Sequence, residues 1–223
     1  MISIVIPVYN EETAINRALS ALPFGEGIEV IVVDSQSDDR TMDVVYQYPV
    51  KIVTSPRGRA LQMNAGASAA KGDVLLFLHA DCVVERIGLK EIEKQVSFNF
   101  VGGCFTHKID SSKWIYRWIE ASGNLRAEIF KIFYGDQAIF VRRDIFERIG
   151  GFEAVPLFED AIFSRKLRHM GKTIVLDFQA AVLPRRWEKK GVARTTFLNW
   201  VLTFGFMMGI STDRLAKLYK NVR

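Results

Sequence analysis

Three apolar runs end in acids, and these acids are the residues best placed to do chemistry. Val74-Leu75-Leu76-Phe77-Leu78 stops at His79-Ala80-Asp81, and Val30-Ile31-Val32-Val33 stops at Asp34. Ile2-Ser3-Ile4-Val5-Ile6 runs into Pro7-Val8-Tyr9-Asn10-Glu11-Glu12. Unbroken apolar runs of this kind read as strands covered on both faces of a parallel sheet. Parallel strands bring their carboxyl ends to one rim, where ligands gather, so the three polar ends converge. A carboxylate on such a rim suits a hard divalent cation, and Asp81 is the leading ligand candidate for Mg2+ or Mn2+. The competing reading of Asp81 is a polar residue that opens a surface turn. No Gly-x-Gly-x-x-Gly follows the first strand and no Walker lysine loop occurs anywhere, which argues against a dinucleotide enzyme or a P-loop phosphotransferase. What remains is a nucleotide site of acids and backbone, its diphosphate neutralised by a divalent cation.

The elements that must position these residues alternate through the first half. Strands are expected at residues 2–8, 30–33, 51–54 and 74–78. Helices are expected over 11–22, with Ile15, Ala18, Leu19 and Leu22 at helical spacing, over residues up to Tyr46, and over 58–71. Ser37-Asp38-Asp39 offers capping residues for the second helix, a role expected of Asp38 and Asp39. This βαβαβαβ order predicts an α/β fold with a mostly parallel sheet and right-handed crossovers. The second half is less regular. Strands are expected at 101–106, 138–141 and 173–176, a long helix over 112–132, a short one from Asp144, and one opening at Glu159-Asp160.

The chain has 223 residues, long enough for one well-buried domain or one domain with an appendage. Its net charge of +5 is unevenly placed: from Arg185 to Arg223 nine Lys or Arg face two acids, a net +7, which leaves the first 184 residues at −2. The basicity therefore belongs to the tail, and the main body shows no footprint for nucleic acid. Cys82 and Cys104 have no metal-ligand spacing and make no disulfide framework, as expected of inert core thiols in a reducing compartment. No basic stretch followed by an apolar core opens the chain, so a cytoplasmic protein is expected.

Four motifs together resemble the family 2 glycosyltransferases of the GT-A fold. They are Ile6-Pro7-Val8-Tyr9-Asn10-Glu11-Glu12, residues 30–41, residues 72–81, and Phe158-Glu159-Asp160 before a helix. The resemblance covers about residues 1–190. With Phe77-Leu78-His79-Ala80-Asp81, Gly135-Asp136-Gln137 and Arg186-Trp187-Glu188, the chain is similar to a small bacterial subgroup of these enzymes. The resemblance implies that Pro7, Tyr9 and Glu11 line the base and ribose of a nucleotide sugar, and that Asp34 accepts a hydrogen bond from the base, as from a uracil N3–H. The competing reading of Asp34 is an Asx-type turn. His79-Ala80-Asp81 occupies the place of the family's Asp-x-Asp metal motif: Asp81 keeps the last acid, and His79 is either a neutral imidazole ligand or a hydrogen-bonding residue. Asp160 is implied to be the general base of an inverting transfer to a hydroxyl acceptor; on sequence alone a helix N-cap reading competes. Glu159, Asp136 and Gln137 fall on the acceptor side. Arg57 and Arg59 flank Gly58 at a helix start, with Arg59 assigned to the nucleotide. Arg186 is assigned to the departing diphosphate and Trp187 to stacking. The full Gln-x-x-Arg-Trp pattern of processive synthases is absent.

The resemblance assigns residues 1–188 to the transferase domain and leaves 189–223 as a basic, apolar helical C-terminal tail. The tail's uncharged stretch, Thr195 to Thr212, has 18 residues. As a helix it spans roughly 27 Å, short of a hydrocarbon core of ~30 Å, and it either packs on the domain or lies in the inner membrane interface. The expected partners are a nucleotide sugar, with UDP the leading leaving group and GDP the alternative, and a hydroxyl acceptor for which a lipid-linked molecule is one option. Two rival functions fit less of the sequence. A nucleotidyltransferase needs a glycine-rich and basic loop that residues 7–16 lack, and a catalytically silent binding or scaffold protein draws only on the histidine at position 79.

Overall fold

In the computed structural model, residues 1–25, 27–97 and 99–221 are described, with side chains as far as residue 219. Residues 222 and 223 of the expected tail lie outside the described residues. The elements in chain order are β1 (Ile2–Val8), α1 (Ile15–Ala21), β2 (Ile28–Asp34), α2 (Thr41–Val45), β3 (Lys51–Thr54), α3 (Arg59–Ala69), β4 (Val74–Phe77), β5 (Cys82–Val84), α4 (Arg86–Ser97), β6 (Phe100–Ile109) and α5 (Ile115–Phe130). A 3₁₀ turn over Gly135–Gln137 follows, then β7 (Ile139–Arg142), α6 (Arg143–Ile149), α7 (Glu159–Met170), β8 (Lys172–Val182), α8 (Arg185–Lys190), α9 (Val192–Met207) and α10 (Thr212–Asn221).

The strands form one sheet in the order β3-β2-β1-β4-β7-β6-β8-β5. The first four are parallel, with Val8 paired to Asp34, Asp34 to Thr54 and Val5 to Phe77. Register alone therefore brings the ends of β1, β2 and β4 to one rim, as the apolar runs predict. β7 enters antiparallel between β4 and β6, pairing Ile139 with Phe77, so the turn before β7 lies beside the end of β4. β8 runs parallel to β6 and antiparallel to β5, with Val182 opposite Cys82, so the residues after β8 arrive beside Asp81.

The apolar runs lack alternation because helices cover both faces of the sheet. Ile4, Ile6, Val32 and Leu76 pack on one side with α1 and α4; Val5, Val33, Leu75 and Phe77 pack on the other with α3, α6 and α7. α3 approaches the sheet closely through Gly66, where a Cβ would come within 2.3 Å of Val5 Cγ1. From the same helix the buried Gln62 amide donates to the carbonyls of Val8 (2.8 Å) and Val33 (2.9 Å), clamping the ends of β1 and β2. The expected helix over 11–22 is shorter, α1, preceded by a turn in which the Glu11 carbonyl accepts the Ala14 and Ile15 N–H groups. Asp39 accepts the Thr41 N–H at 2.9 Å at the start of α2, while Asp38 is bonded to Asn10.

In the tail, α8 runs across the 188/189 boundary and α9 packs on the body. Leu202 and Phe206 of α9 and Leu215 of α10 meet Ile132, Phe158 and Ala161 in a third apolar cluster. Among the described residues no helix is long and apolar enough to cross a membrane. Both cysteines are buried and unpaired, and burial pushes each thiol well above its ordinary pKa.

Candidate active site

A cleft of about 590 Å3 opens beyond β1, β2 and β3, lined by Tyr9, Ser35, Gln36, Thr54, Ser55 and Arg57 among others. The Arg57 guanidinium lies 3.9 Å from the centre of the Tyr9 ring. Arg57 thus lines the cleft, and Arg59, the residue assigned to the nucleotide, pairs with Glu159 at 3.0 Å. Asp34 is buried behind Ser35 and Gln36. Its carboxylate accepts the Gln36 N–H (3.0 Å), the Ser37 N–H (3.2 Å) and the Ser37 hydroxyl (2.6 Å). These local bonds form the Asx-type turn and fix the orientation of the carboxylate.

On the rim between β1 and β4, two acids converge on one cation. Arg185 Nη2 donates to Glu11 Oε2 at 2.9 Å and to Asp81 Oδ2 at 3.2 Å. Burial raises the Glu11 carboxyl above its usual range, and the Arg185 hydrogen bond and charge pull against that rise. Arg185 sits here because β8 leads past Asp81 by pairing with β5, and the Leu183 N–H donates to the Asp81 carbonyl at 3.3 Å. Among the described residues no group of three His, Cys, Asp or Glu side chains gathers as a metal site. Two carboxylates aimed at one positive charge are nonetheless hard oxygen donors, and this donor set fits a divalent cation that takes its remaining oxygens from a diphosphate.

Gly135 joins the end of β4 to the acid of α7. Its N–H donates to Asp160 Oδ2 at 2.7 Å, and a Cβ on Gly135 would fall 2.3 Å from His79 Nε2. Only a residue without a side chain lets the His79 ring and the Asp160 carboxylate flank the same peptide. Asp160 lies in the first turn of α7, where the helix dipole favours the carboxylate, and it also accepts the Ala161 N–H at 2.7 Å. Burial and then repulsion from Glu159 outweigh those effects and raise its pKa to about 7. The His79 pKa is lowered, first by burial and then by the Arg59 charge, and its Nε2 has no partner among the described residues. Phe158, just before the acid, adopts φ 67°, a strained conformation that sets the turn into α7.

The remaining candidates divide. Asp136 is half exposed and faces His107 Nε2 at 3.4 Å. Gln137 is 1% exposed, and its side-chain oxygen accepts from Arg126 (2.9 Å) and from the Tyr134 N–H (3.2 Å), so it braces the turn. Trp187 is buried edge-on against Tyr116, with ring centres 6.0 Å apart, as part of the core. The Arg186 guanidinium lies 4.5 Å from the Tyr219 ring centre, on the tail. Sequence reasoning paired Arg57 with Arg59 at the helix start but chose Arg59, and it gave no role to Arg185 or the Gly135 N–H. Residue type does not separate Arg185 from Arg186; the β5–β8 register does.

The model of glycosyl transferase family 2 matches residues 3–155. A probable glycosyltransferase YdaM of Bacillus subtilis is 28% identical over 218 residues, covering 85% of this chain and 50% of that protein. A dolichol-phosphate mannosyltransferase of Pyrococcus furiosus is 29% identical over 192 residues, covering 79% of this chain and 51% of that protein. The chain thus spans about half the length of these curated relatives. Among solved structures, S. aureus TarS 1-349 in complex with UDP-GlcNAc superposes with a TM-score of 0.65 at 19% identity, covering 81% of this chain and 58% of that one. The mannosyltransferase PcManGT of Pyrobaculum calidifontis, in complex with GDP-Man and Mn2+, gives 0.64 at 24% identity, covering 81% and 56%. The fold is GT-A, and the chain belongs to glycosyl transferase family 2.

Proposed function

We propose that the protein transfers a sugar, with inversion, from a nucleotide-diphosphate sugar to a hydroxyl acceptor, using Asp160 as general base. The observation that carries this reading is the Asp160 carboxyl, buried beside Gly135 and His79 with a pKa near 7. A base poised near neutral pH can accept the acceptor's hydroxyl proton as its oxygen forms the new bond to the anomeric carbon. The bond from that carbon to the diphosphate breaks, and its electron pair leaves on the diphosphate oxygen. Pro7, Tyr9 and Glu11 bound the donor side, and the fixed Asp34 carboxylate accepts a hydrogen bond from the base, as from a uracil N3–H. Asp81, with Glu11, would hold Mg2+ or Mn2+, which neutralises diphosphate charge when bound. Arg185 rather than Arg186 is the cationic side chain at this end of the site. Glu159 keeps Arg59 in place behind Asp160, and Asp136 faces the acceptor.

The test is UDP release from UDP-glucose and UDP-GlcNAc with Mn2+, run against a panel of hydroxyl acceptors. Asp160→Asn should lower turnover by about 10²–10⁴-fold, the usual contribution of a positioned base, with UDP affinity retained. Wild-type turnover in that variant removes Asp160 from the role. Donor binding without turnover on any acceptor favours the silent-protein reading.

A further inference from the structure

α9 is apolar on two sides. Its inner side, with Leu202 and Phe206, is used on the body, but Phe197, Trp200, Phe204 and Met208 lie along its outer side and are 59 to 68% exposed. Their spacing, i, i+3, i+7 and i+11, is one continuous helical stripe. α5 carries a second stripe: Trp118, Leu125 and Ile129, with Trp114 just before the helix, are 60 to 71% exposed. The two helices flank one segment, because α5 runs into residues 131–134 and α9 packs on Ile132 and Tyr134. Two stripes of large exposed apolar residues, on helices that meet the same short segment, exceed what scattered surface hydrophobics explain.

Charge identifies what covers them. Exposed Arg194 precedes the α9 stripe by one turn, and exposed Arg214 and Lys217 follow it on α10. The segment from Arg185 onward is net +7, so a second copy applied face to face would set two such tails against each other. Aromatic side chains rimmed by cations match the headgroup region of an anionic membrane. We propose that the outer faces of α9 and α5 dock on an anionic lipid bilayer. The helices lie in its surface, since none among the described residues can span it. The docked helix is also the one that holds the active-site loops: Thr203 Oγ1 bonds the Tyr134 hydroxyl at 3.0 Å, and Phe206 stacks on Phe158 at 4.6 Å, two residues before Asp160. If sugar transfer is the activity, the acceptor side faces the bilayer and the acceptor is a lipid-anchored hydroxyl. That last step alone rests on the proposed function.

Flotation of the full chain with vesicles tests the docking without any assay of turnover. The protein should float with equimolar phosphatidylglycerol and phosphatidylcholine, not with phosphatidylcholine alone, and should be released by raised salt. Three of the four tryptophans, Trp114, Trp118 and Trp200, lie on this surface, so their emission should shift to the blue on binding. Trp200→Glu with Phe204→Glu should weaken vesicle binding at least about tenfold while leaving the circular dichroism spectrum unchanged. Arg214→Glu with Lys217→Glu should weaken it without touching an apolar residue. Protein that stays unbound with anionic vesicles, equal flotation with neutral ones, or a solution dimer broken by the aromatic pair of substitutions overturns the proposal. Vesicle binding with no sugar transfer leaves the docking standing and sinks only the catalytic reading.

Discussion

Burial and the neighbouring Glu159 carboxylate hold the Asp160 carboxyl at about 7, so near neutral pH the group exchanges between acid and base. In an unfolded chain the same carboxyl titrates near ~3.9. Between these two values the folded protein keeps a proton that the unfolded chain has released. Stability therefore falls as pH rises from ~4 to about 7 and then levels off. Asp160→Asn is neutral throughout and lacks that slope. Its melting temperature relative to the native protein should climb across this window and become constant above it, as thermal unfolding at a series of pH values would record. A difference that does not vary with pH removes the buried-acid account. Sequence alone left Asp160 between an N-cap and a base. The helix start was legible at Glu159-Asp160, but neither the burial that raises its pKa nor the opposing hydrogen bond from Gly135, 25 residues earlier in the chain, was.

Elements place these residues, and the short parallel strands were the most legible of them. β3 and β4 fall where the sequence sets them, because short runs between Gly, Pro and charged residues leave little room for slippage. β5 and α4 were not read, although Leu89, Ile92 and Val96 stand at helical spacing among charges. The antiparallel entry of β7 was also invisible, since pairing direction is decided by which edge remains open. Helix–sheet contact makes a sharper prediction. At Gly66 a Cβ would press to 2.3 Å from Val5 Cγ1 and 2.9 Å from Val33 Cγ2, both from strands packed on their far side as well. Gly66→Ala gains helix propensity but overpacks this contact. We expect a net loss of about 1–3 kcal/mol in urea unfolding. An unchanged or raised midpoint shows that α3 can slide outward.

Across the whole molecule, charge and apolar surface are segregated: a slightly acidic body, and a basic tail whose helix is apolar on two sides. The uneven charge was plain in the sequence, while the choice between packing on the body and facing outward was not. α9 does both, and periodicity could not show this because its apolar residues surround the helix. At the ends of β1 and β2, the Gln62 amide bonds the last carbonyl of β1 and the next-to-last of β2 at once. Neither strand end can fray alone, because freeing either carbonyl disturbs the donor of the other. This rim of the sheet is thereby tied to its slowest breathing. Its amide hydrogens, such as the Ser35 N–H bonded to the Val8 carbonyl at 3.3 Å, should exchange with solvent as slowly as those of the central strands. In Gln62→Ala they should exchange roughly tenfold faster or more while the centre of β1 keeps its native rate, as hydrogen exchange would resolve.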